Sequence, residues 1–355
     1  MKFAKMNAPI NEVVAWNSDE YDQIIDVRSP DEFRIDHIPT AINMPVLSNI
    51  ERAEIGTIYV QKSRFLARKR GAIYVAKNIA HHLEAKLSEM GSDFRPLIYC
   101  WRGGQRSRAF AQICSEIGWH SHLLKGGYKS YRRGIVKTLE HIADKFKFIV
   151  IGGYTGSGKT DILVKLEEIG AQVVNLEGLA KHRGSLLGAL PDQSQPSQKY
   201  FESQLVKKLS LFDKRHPIFI EAESSRIGKL LIPNNIWKHM SLAPLVMINV
   251  SRDARSEYLF SSYKNLISQT KYLACLIHGM KTRYGNERIV CWQNLLDDKN
   301  WLGLAKSLLK DHYDPAYQRS MKRHDRLILK EITQLNCSIE SIANSVKQIK
   351  NLDIS

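Results

Sequence analysis

The sequence predicts the α/β fold class, with two domains that each contain a parallel sheet. Short apolar runs of strand length alternate with segments of helical periodicity. In two places a strand, a glycine-containing loop and a helix follow one another directly. The length of 355 residues allows about two domains, each large enough to bury its own core. We place the boundary near residue 140, which gives domains of 1–140 and 141–355.

The first domain is predicted from two strands and the helix that follows the second. Ile24–Arg28 is an apolar run that ends in polar residues and a turn at Ser29-Pro30. Pro96–Tyr99 is a second apolar run, and it leads into the loop Cys100–Ser107. The apolar residues of the next segment have helical spacing as far as Gly118, which provides a C-terminal stop.

The second domain repeats this arrangement. The strand Phe148–Ile151 leads into the loop Gly153–Thr160, and a helical pattern then runs to Gly170. We expect the domain to end in a C-terminal helical extension. Further strands are predicted at Gln172–Leu176, Pro217–Glu221 and Leu245–Val250.

Net charge is the first indication of a partner. The chain has 52 Lys and Arg against 36 Asp and Glu, a formal net charge of +16, and the excess is spread over both halves. This distribution favours a long polyanion such as nucleic acid, because each contacted phosphate releases condensed counterions. A merely basic, solvated surface is the alternative.

The remaining composition excludes several classes. A hydrophobic content of 43% argues against disorder, and no apolar run approaches the roughly 20 residues that span a bilayer. The five cysteines lack the spacing of a disulfide framework or zinc site, and the first ten residues lack the apolar core of a secretory signal. We therefore expect a cytoplasmic protein that does not contact membranes. The oligomeric state is not predicted.

The loop after the second strand places a cysteine where backbone N–H groups and a helix dipole converge. Such a cradle favours thiolate over thiol and can also hold a tetrahedral anion. Cys100 is therefore the candidate nucleophile. The four other cysteines, at positions 114, 275, 291 and 337, are interpreted as small buried or incidental residues. The candidate anion-binding residues of this loop are Arg102, Gly103, Gly104, Arg106 and Ser107.

The second loop satisfies the phosphate-binding pattern G-x4-G-K-[ST] between a strand and a helix. In this pattern consecutive N–H groups surround a pyrophosphate, the lysine reaches its outer oxygens, and the hydroxyl of Thr160 can ligate Mg²⁺. The pattern does not identify the molecule that carries the phosphates and leaves a Mg²⁺ requirement open. We expect no tightly bound cofactor and no resident metal. The candidate diphosphate-binding residues are Gly153, Gly156, Ser157, Gly158, Lys159 and Thr160.

Further candidates follow the strands of the second domain. Glu177, His182 and Arg183 come after a strand, where α/β proteins place ligands, and we favour a substrate role over a turn role. Arg252 and Arg255 are similar to the anion-clamping arginines of small nucleotide kinases, although surface arginines are nearly as good an account. Glu221 and Glu223 are the nearest equivalents of the aspartate that organises Mg²⁺ in hydrolases of this type.

The first domain resembles the rhodanese family of sulfur-transfer domains. The resemblance rests on Asp26-Val27-Arg28, the run His37–Pro45, the cysteine loop and Lys125–Tyr128. Asp36 and Thr40 stand where that family often has glycines. The loop is also one residue longer than usual, with the C-x5-R spacing of rhodanese-like cell-cycle phosphatases. A wider cradle suits a phosphate-sized or selenium-bearing donor, and it keeps phosphatase activity open as an alternative.

Further motifs extend over nearly the whole chain. Besides the two loops they are Leu176–Ala180, His182–Ser185, Gln195–Gln198, Glu223–Gly228 and Tyr313–Tyr317. With these segments the chain resembles the tRNA 2-selenouridine synthase family. The resemblance implies that 2-thiouridine at the wobble position of the tRNAs for Lys, Glu and Gln becomes 2-selenouridine. It also implies that geranyl diphosphate first alkylates the sulfur and that selenophosphate then supplies selenium through a selenyl-cysteine at Cys100.

Several other residues of the first domain allow more than one role. Trp101 is interpreted either as a residue that stacks on an exposed base of the anticodon loop or as a tryptophan of the hydrophobic core. Asp26 and Arg28 are expected to form a structural ion pair more readily than to tune the cysteine loop, and His37 is expected to be structural. A basic cluster is interpreted as a tRNA backbone contact, against the alternative of a solvated helix face; it comprises Lys62, Arg64, Arg68, Lys69 and Arg70.

Three other functions remain open at the level of sequence. One is an ATP-dependent kinase or NTPase with a rhodanese-like regulatory domain. A second is a C-x5-R phosphatase, and a third is a noncatalytic tRNA-binding protein. The synthase is favoured because it alone uses both loops and the basic charge.

Overall fold

A computed structural model describes residues 8–16, 20–185, 188–189, 193–263, 269–322 and 326–352. The chain divides into two compact units: Met1–Thr138 with Ser197–Lys207, and Leu139–Pro196 with Lys208–Ser355. Both units have the predicted α/β architecture with a parallel sheet. The short segment Ser197–Lys207 belongs with the first unit, although no sequence signal distinguished it from its neighbours.

The first unit contains a five-stranded sheet in the order β1-β5-β4-β2-β3, with every pair parallel. Parallel pairing requires crossover connections, and the helices provide them. The elements are β1 (Asn11–Val13), β2 (Gln23–Asp26), α1 (Pro30–Ile35), β3 (Ile42–Asn43), α2 (Asn49–Gln61), α3 (Arg64–Lys86), β4 (Pro96–Tyr99), α4 (Gln105–Ile117), β5 (His122–Leu124) and α5 (Gly127–Leu139).

The second unit contains a second parallel sheet, in the order β12-β11-β6-β8-β7, and a two-stranded antiparallel ribbon of β9 and β10. The elements, with α8 mostly in the first unit, are β6 (Phe148–Gly153), α6 (Lys159–Glu168), β7 (Gln172–Val174), α7 (Leu176–Ala180), α8 (Gln198–Ser210), β8 (Ile218–Glu221), β9 (Arg226–Ile227), β10 (Leu230–Leu231), α9 (Asn234–Leu242), β11 (Leu245–Val250), α10 (Arg252–Ser262), α11 (Thr270–Gly279), α12 (Lys281–Asp297), α13 (Trp301–Leu308), a π-helical turn (Leu309–Tyr313), α14 (Asp314–Met321), β12 (Ile328–Gln334) and α15 (Ile339–Lys350).

Each unit has a core between its sheet and helices. In the first unit Ile25, Ile98 and Phe110 are fully buried within one cluster. In the second, Ile151 and Ile248 lie in the corresponding cluster. These residues belong to apolar runs that the sequence identified as strands or helix faces, because strands buried on both sides of a parallel sheet read as continuous apolar segments.

The C-terminal part of the second unit is more than a helical extension. Helices α11–α13 form a separate apolar cluster that includes Leu273, Trp292 and Leu304. The chain then returns to the sheet as β12, which pairs with β11, and ends in α15. The strand β12 was not predicted, because Lys330 and Glu331 interrupt its apolar residues and leave no continuous apolar run, as is common in an edge strand. No helix within the described ranges is long and apolar enough to cross a bilayer.

The turn into α5 gives a stability test. Gly127 has φ of +57°, and a Cβ there would lie inside contact distance of the Cys100 carbonyl and 2.6 Å from Gly103 N. Replacing Gly127 with Ala should therefore lower the free energy of unfolding of the first unit by about 1–3 kcal/mol. Thermal unfolding measures this change. Gly56→Ala in α2, where an added Cβ meets nothing within 4 Å, is the control and should be neutral or stabilising. Equal effects of the two substitutions would refute the close approach.

Candidate active site

The cysteine loop begins where β4 ends, and groups of the loop itself donate hydrogen bonds to the Cys100 sulfur. The Cys100 side chain is 3% exposed. Its Sγ accepts hydrogen bonds from the Gly104 N–H and the Ser107 hydroxyl, both at 3.2 Å. The N–H of Tyr128 holds the other side of the turn through the Cys100 carbonyl at 2.9 Å. Because two donors converge on sulfur, the geometry suits a thiolate nucleophile.

The two arginines of this loop have different surroundings. Arg106 donates to Glu32 at 3.0 Å, and Arg52 donates to the same carboxylate at 2.9 Å. Burial tends to raise the pKa of Glu32, but these two arginines lower it overall. Arg106 is therefore anchored to α1, which differs from the anion-binding role predicted for it. Arg102 is exposed on the loop. Of the two arginines that were predicted to bind an anion, it is therefore the one whose side chain is open to a ligand.

Arg28 lies at the centre of a buried network next to the cysteine loop. It contacts Asp26 at 2.6 Å, and it donates to the Asp36 carbonyl, also at 2.6 Å. Its guanidinium lies 4.0 Å from the ring centre of Tyr128, whose hydroxyl donates to the Asp36 carboxylate at 2.8 Å. Ser203, from the returning segment of this unit, donates to the other Asp36 oxygen at 2.9 Å. The aspartate that replaces the usual glycine at position 36 therefore has hydrogen-bond donors for both of its carboxylate oxygens. Burial raises the pKa of this carboxyl.

Two further predictions concern residues of the first unit. His37 stacks on Phe33 with ring centres 3.7 Å apart, and its Nδ1 lies 2.8 Å from the Phe33 carbonyl oxygen. Burial lowers its pKa, so this histidine has the predicted structural character. Trp101 is 38% exposed, and its ring lies 5.2 Å from that of Tyr128. Part of this indole is therefore open to a stacking partner.

The phosphate loop connects β6 to α6. Lys159 donates to the carbonyls of Gly153 at 2.8 Å and Tyr154 at 3.2 Å, and burial lowers the pKa of its ammonium. Thr160 donates to Glu177 at 3.2 Å. The hydroxyl of Ser157 is buried and has no hydrogen-bond partner among the described residues. A lysine and a free hydroxyl within one glycine loop are the groups that a diphosphate requires.

Three glutamates lie beside this loop. The Glu177 N–H donates to Glu221 at 2.6 Å, and burial raises the pKa of Glu221 to about 8. Burial, followed by the proximity of Glu177 and Glu221, raises the pKa of Glu223 well above its usual range. Within the described ranges, no group of three His, Cys, Asp or Glu side chains could hold a metal by itself. A Mg²⁺ ion would need Thr160 and the oxygens of a bound phosphate.

A cavity of about 620 Å³ lies over the phosphate loop. Of the three residues predicted to contact a substrate here, Glu177 and Arg183 line this cavity, whereas His182 does not. Arg183 is fixed by a 3.1 Å bond to the Ser262 carbonyl and lies over the Tyr263 ring. Burial lowers the pKa of His182, which favours a neutral, structural residue. The wall also contains five aromatic residues, Trp237, Tyr258, Tyr263, Tyr313 and Tyr317.

Arg252 and Arg255 do not serve as free anion clamps. Arg255 is 4% exposed and makes two bonds to Asp314, at 2.9 and 3.0 Å. It also donates to the Thr155 carbonyl at 3.1 Å, so it positions the phosphate loop. Arg252 contacts the same aspartate at 3.2 Å.

Sequence reasoning missed two supports of the phosphate loop. Asp314 binds Arg255, and the hydroxyl of Tyr317 accepts the Gly153 N–H at 2.8 Å. Both residues lie in the Tyr313–Tyr317 segment, which contributed to the resemblance without receiving a role. Its position in a family motif was the available signal.

The predicted basic cluster lies at the end of α2 and the start of α3. All five of its members are exposed. Arg70 pairs with Glu54 at 3.1 Å, and Arg64 lies over the Tyr59 ring at 5.5 Å. Phe65, in the first turn of α3, is 71% exposed. The cluster therefore combines cations with accessible aromatic surface, a combination found in proteins that bind single-stranded nucleic acid.

The folds and their loops define a protein in which a rhodanese-like domain is joined to a P-loop domain. Residues 10–134 match the family model of the rhodanese-like domain, and residues 146–347 match that of the tRNA 2-selenouridine synthase AAA domain. The chain therefore belongs to the tRNA 2-selenouridine synthase family, whose name denotes enzymes that modify tRNA.

Similar proteins include two tRNA 2-selenouridine synthases. That of Psychromonas ingrahamii is 30% identical, with 86% of this chain and 89% of the relative covered. That of Shewanella halifaxensis is 32% identical, with 86% and 91% covered. A solved N-terminal domain of an ATP/GTP binding protein from Clostridium difficile 630 is 37% identical over 32% of this chain and 88% of its own. Its TM-score of 0.29 is too low to define a fold.

The buried Glu221 gives a pH-dependent test of the site. Its pKa of about 8 in the folded protein lies above that of an unfolded glutamate, so the folded state binds the extra proton between these two values. The free energy of unfolding contributed by this group is therefore present at low pH and is lost as pH rises toward 8, by about 1.4 kcal/mol per pH unit.

Glu221→Gln should remove this dependence, because the amide resembles the protonated acid. Urea titrations read by hydrogen exchange of β6 and β8 peptides, compared between the two proteins at each pH, measure the difference. Glu168→Gln, at an exposed position on α6, is the matched control. If the stability of the wild type relative to Glu221→Gln did not fall with pH, the raised pKa would be refuted.

Proposed function

We propose that this protein converts 2-thiouridine at the wobble position of the tRNAs for Lys, Glu and Gln to 2-selenouridine in two steps. Geranyl diphosphate first alkylates the sulfur, and selenophosphate then supplies selenium. The observation that carries the proposal is that each unit has its own glycine loop between a strand and a helix, with Cys100 in one loop and Lys159 at the end of the other. The reaction needs both kinds of site, and membership of the family supports the tRNA substrate.

The phosphate loop is assigned to the first step. The sulfur attacks C1 of the prenyl chain, a C–S bond forms, and the C–O bond breaks with its electron pair leaving on the diphosphate. The proton on N3 of the base is released to solvent. Oriented N–H groups and the Lys159 ammonium stabilise charge that develops on the leaving group, which is the usual contribution of a preorganised anion site. Geranylation matters because a geranyl thiolate leaves C2 more readily than sulfide does.

The cysteine loop is assigned to the second step. A selenyl-cysteine, as the resemblance implies, is two electrons more oxidised than a thiolate plus selenide, and forming it from selenophosphate with release of phosphate therefore needs an oxidant. Attack of the Cys100 thiolate on phosphorus needs none: an S–P bond forms, the P–Se bond breaks and hydroselenide leaves. Hydroselenide then displaces geranyl thiolate from C2, its proton passes to N3, and water releases phosphate from the cysteine. We therefore favour attack on phosphorus.

The remaining residues receive roles in binding. Arg102 and the loop amides bind the phosphate of the selenium donor. Glu177 and Arg183 face the cavity of the phosphate loop and contact the substrate. The basic cluster binds the tRNA backbone, and the exposed part of Trp101 stacks on an anticodon-loop base. We assign the reaction to the cytoplasm, because the five cysteines of the protein are free and remain reduced in that compartment.

Reciprocal variants test the division between the loops. Lys159→Ala should abolish geranylation and retain selenation of pre-geranylated tRNA, while Cys100→Ala should do the opposite. Mass analysis of the nucleosides after each half-reaction is the measurement. Lys165→Ala and Cys275→Ala, at exposed positions, are matched controls and should retain both steps. Geranylation that survives loss of Lys159, or selenation that survives loss of Cys100, contradicts the corresponding assignment.

Salt dependence tests the basic cluster. Replacing Lys62, Arg68 and Lys69 together with Gln should weaken tRNA binding and reduce the slope of log Kd against log salt by about 0.7–0.9 for each phosphate that the variant no longer neutralises. Filter binding over a salt series gives both values. A control with Lys214, Lys347 and Lys350 replaced, also exposed, should leave the slope unchanged. An identical slope in both triple variants places the tRNA elsewhere.

A further inference from the structure

A second, smaller cavity of about 80 Å³ adjoins the cavity of the phosphate loop. Five residues line both cavities, namely Thr155, Ser185, Leu259, Tyr263 and Tyr313. The remaining wall of the small cavity is apolar and consists of Phe260, Leu273, Trp301, Leu304, Ala305 and Leu308. We call it the apolar pocket. The phosphate cradle and the apolar pocket thus share a boundary.

The apolar pocket is built by elements that lie outside the sheet. Leu259 and Phe260 belong to α10, which begins directly after β11. Leu273 belongs to α11, and Leu304 belongs to α13; both lie in the separate apolar cluster of the C-terminal helices. These helices therefore supply a wall that the phosphate loop alone does not have.

The chemistry of the wall restricts what can enter. A ribose or nucleobase would bring hydroxyl or amide groups against a mostly apolar wall of aliphatic and aromatic side chains, and each buried polar group without a partner costs about 1–3 kcal/mol. An aliphatic chain has no such groups and gains from removal from water. The pocket therefore fits the apolar tail of a molecule whose charged head lies in the phosphate loop.

The size of the pocket defines how much of a tail it holds. A single water-sized group needs about 10–15 Å³ of such volume, so the pocket has room for roughly six groups. One isoprene unit contains five carbons. In a ten-carbon chain the first unit would lie in the larger cavity next to the diphosphate, and the second unit would fill the pocket.

We propose that the apolar pocket receives the terminal isoprene unit of the prenyl diphosphate and thereby selects its chain length. This inference rests on the proposed binding of the diphosphate by the phosphate loop. Trp301 and Leu304 are then specificity residues, because they line the pocket and its volume of about 80 Å³ leaves room for one isoprene unit.

The test compares the binding of three probes by calorimetry: inorganic pyrophosphate, dimethylallyl diphosphate with five carbons, and geranyl diphosphate with ten. The wild type should prefer the ten-carbon over the five-carbon probe by roughly tenfold to a hundredfold. Ala305→Phe fills the pocket and should remove this preference while pyrophosphate binding is retained. Leu302→Phe, on the same helix but 40% exposed and outside the pocket, is the control and should behave as wild type.

Each other outcome is decisive. A ten-carbon preference that persists in Ala305→Phe, with pyrophosphate binding intact, overturns the inference and leaves the proposed function standing. A wild type that binds none of the three probes overturns the proposed function itself. If Ala305→Phe loses pyrophosphate binding through misfolding, Leu304→Ala decides: it enlarges the pocket and should improve binding of fifteen-carbon farnesyl diphosphate relative to geranyl diphosphate. An unchanged ratio in that variant refutes the pocket.

Discussion

Both loops depend on the same structural constraint. In each, a buried parallel strand turns abruptly into a helix at its carboxyl end, near the point where the chain reverses its direction across the sheet. In the first unit β2 continues to β3 on one side, and the chain then crosses to β4 on the other. In the second unit β6 lies between β8 and β11; the chain passes from β6 to β7 and β8 on one side and later crosses to β11 and β12 on the other. Such switch points leave a crevice at the ends of the strands. Cys100 and Lys159 follow these strands, so topology places them at the crevices, where unpaired N–H groups are also concentrated.

Most charged residues around the loops form ion pairs that hold the loops in position. Arg106 and Arg255 were predicted to bind anions, yet each is paired with a carboxylate of its own unit, and Arg28 forms the ion pair with Asp26 that was expected of it. A buried ion pair adds little net stability, but removing one partner leaves an uncompensated charge at a cost of about 3–5 kcal/mol. Such pairs therefore fix geometry more than they stabilise the fold. Arg255 is the clearest example, because the same guanidinium that binds Asp314 also holds a carbonyl of the phosphate loop.

What the sequence could predict follows from the range of each interaction. The fold class and the glycine loops are encoded within about fifteen consecutive residues, and the helix stop at Gly118 is confirmed by its left-handed conformation. The partners of the loops are distant in the chain: Glu32 lies 74 residues from Arg106, and Tyr317 lies 164 residues from Gly153. No periodicity or spacing indicates such pairs. Edge strand β12 was missed for a different reason, because its exposed face dilutes the apolar signal that identifies central strands.

The phosphate loop alone leaves the substrate undefined, since the same glycines and lysine would accept the phosphates of a nucleotide or of a prenyl alcohol. Discrimination between these molecules must come from the residues beyond the phosphates. There, burying a polar group without a hydrogen-bond partner changes the binding free energy by more than an additional charge contact does. In this protein the apolar pocket is lined by residues of α10, α11 and α13 together with Tyr263 and Tyr313, and not by the sheet. The helices that interrupt the return of the chain to β12 thus do more than extend the domain. In the binding mode proposed above, they convert a general anion site into one that distinguishes what the anion is attached to.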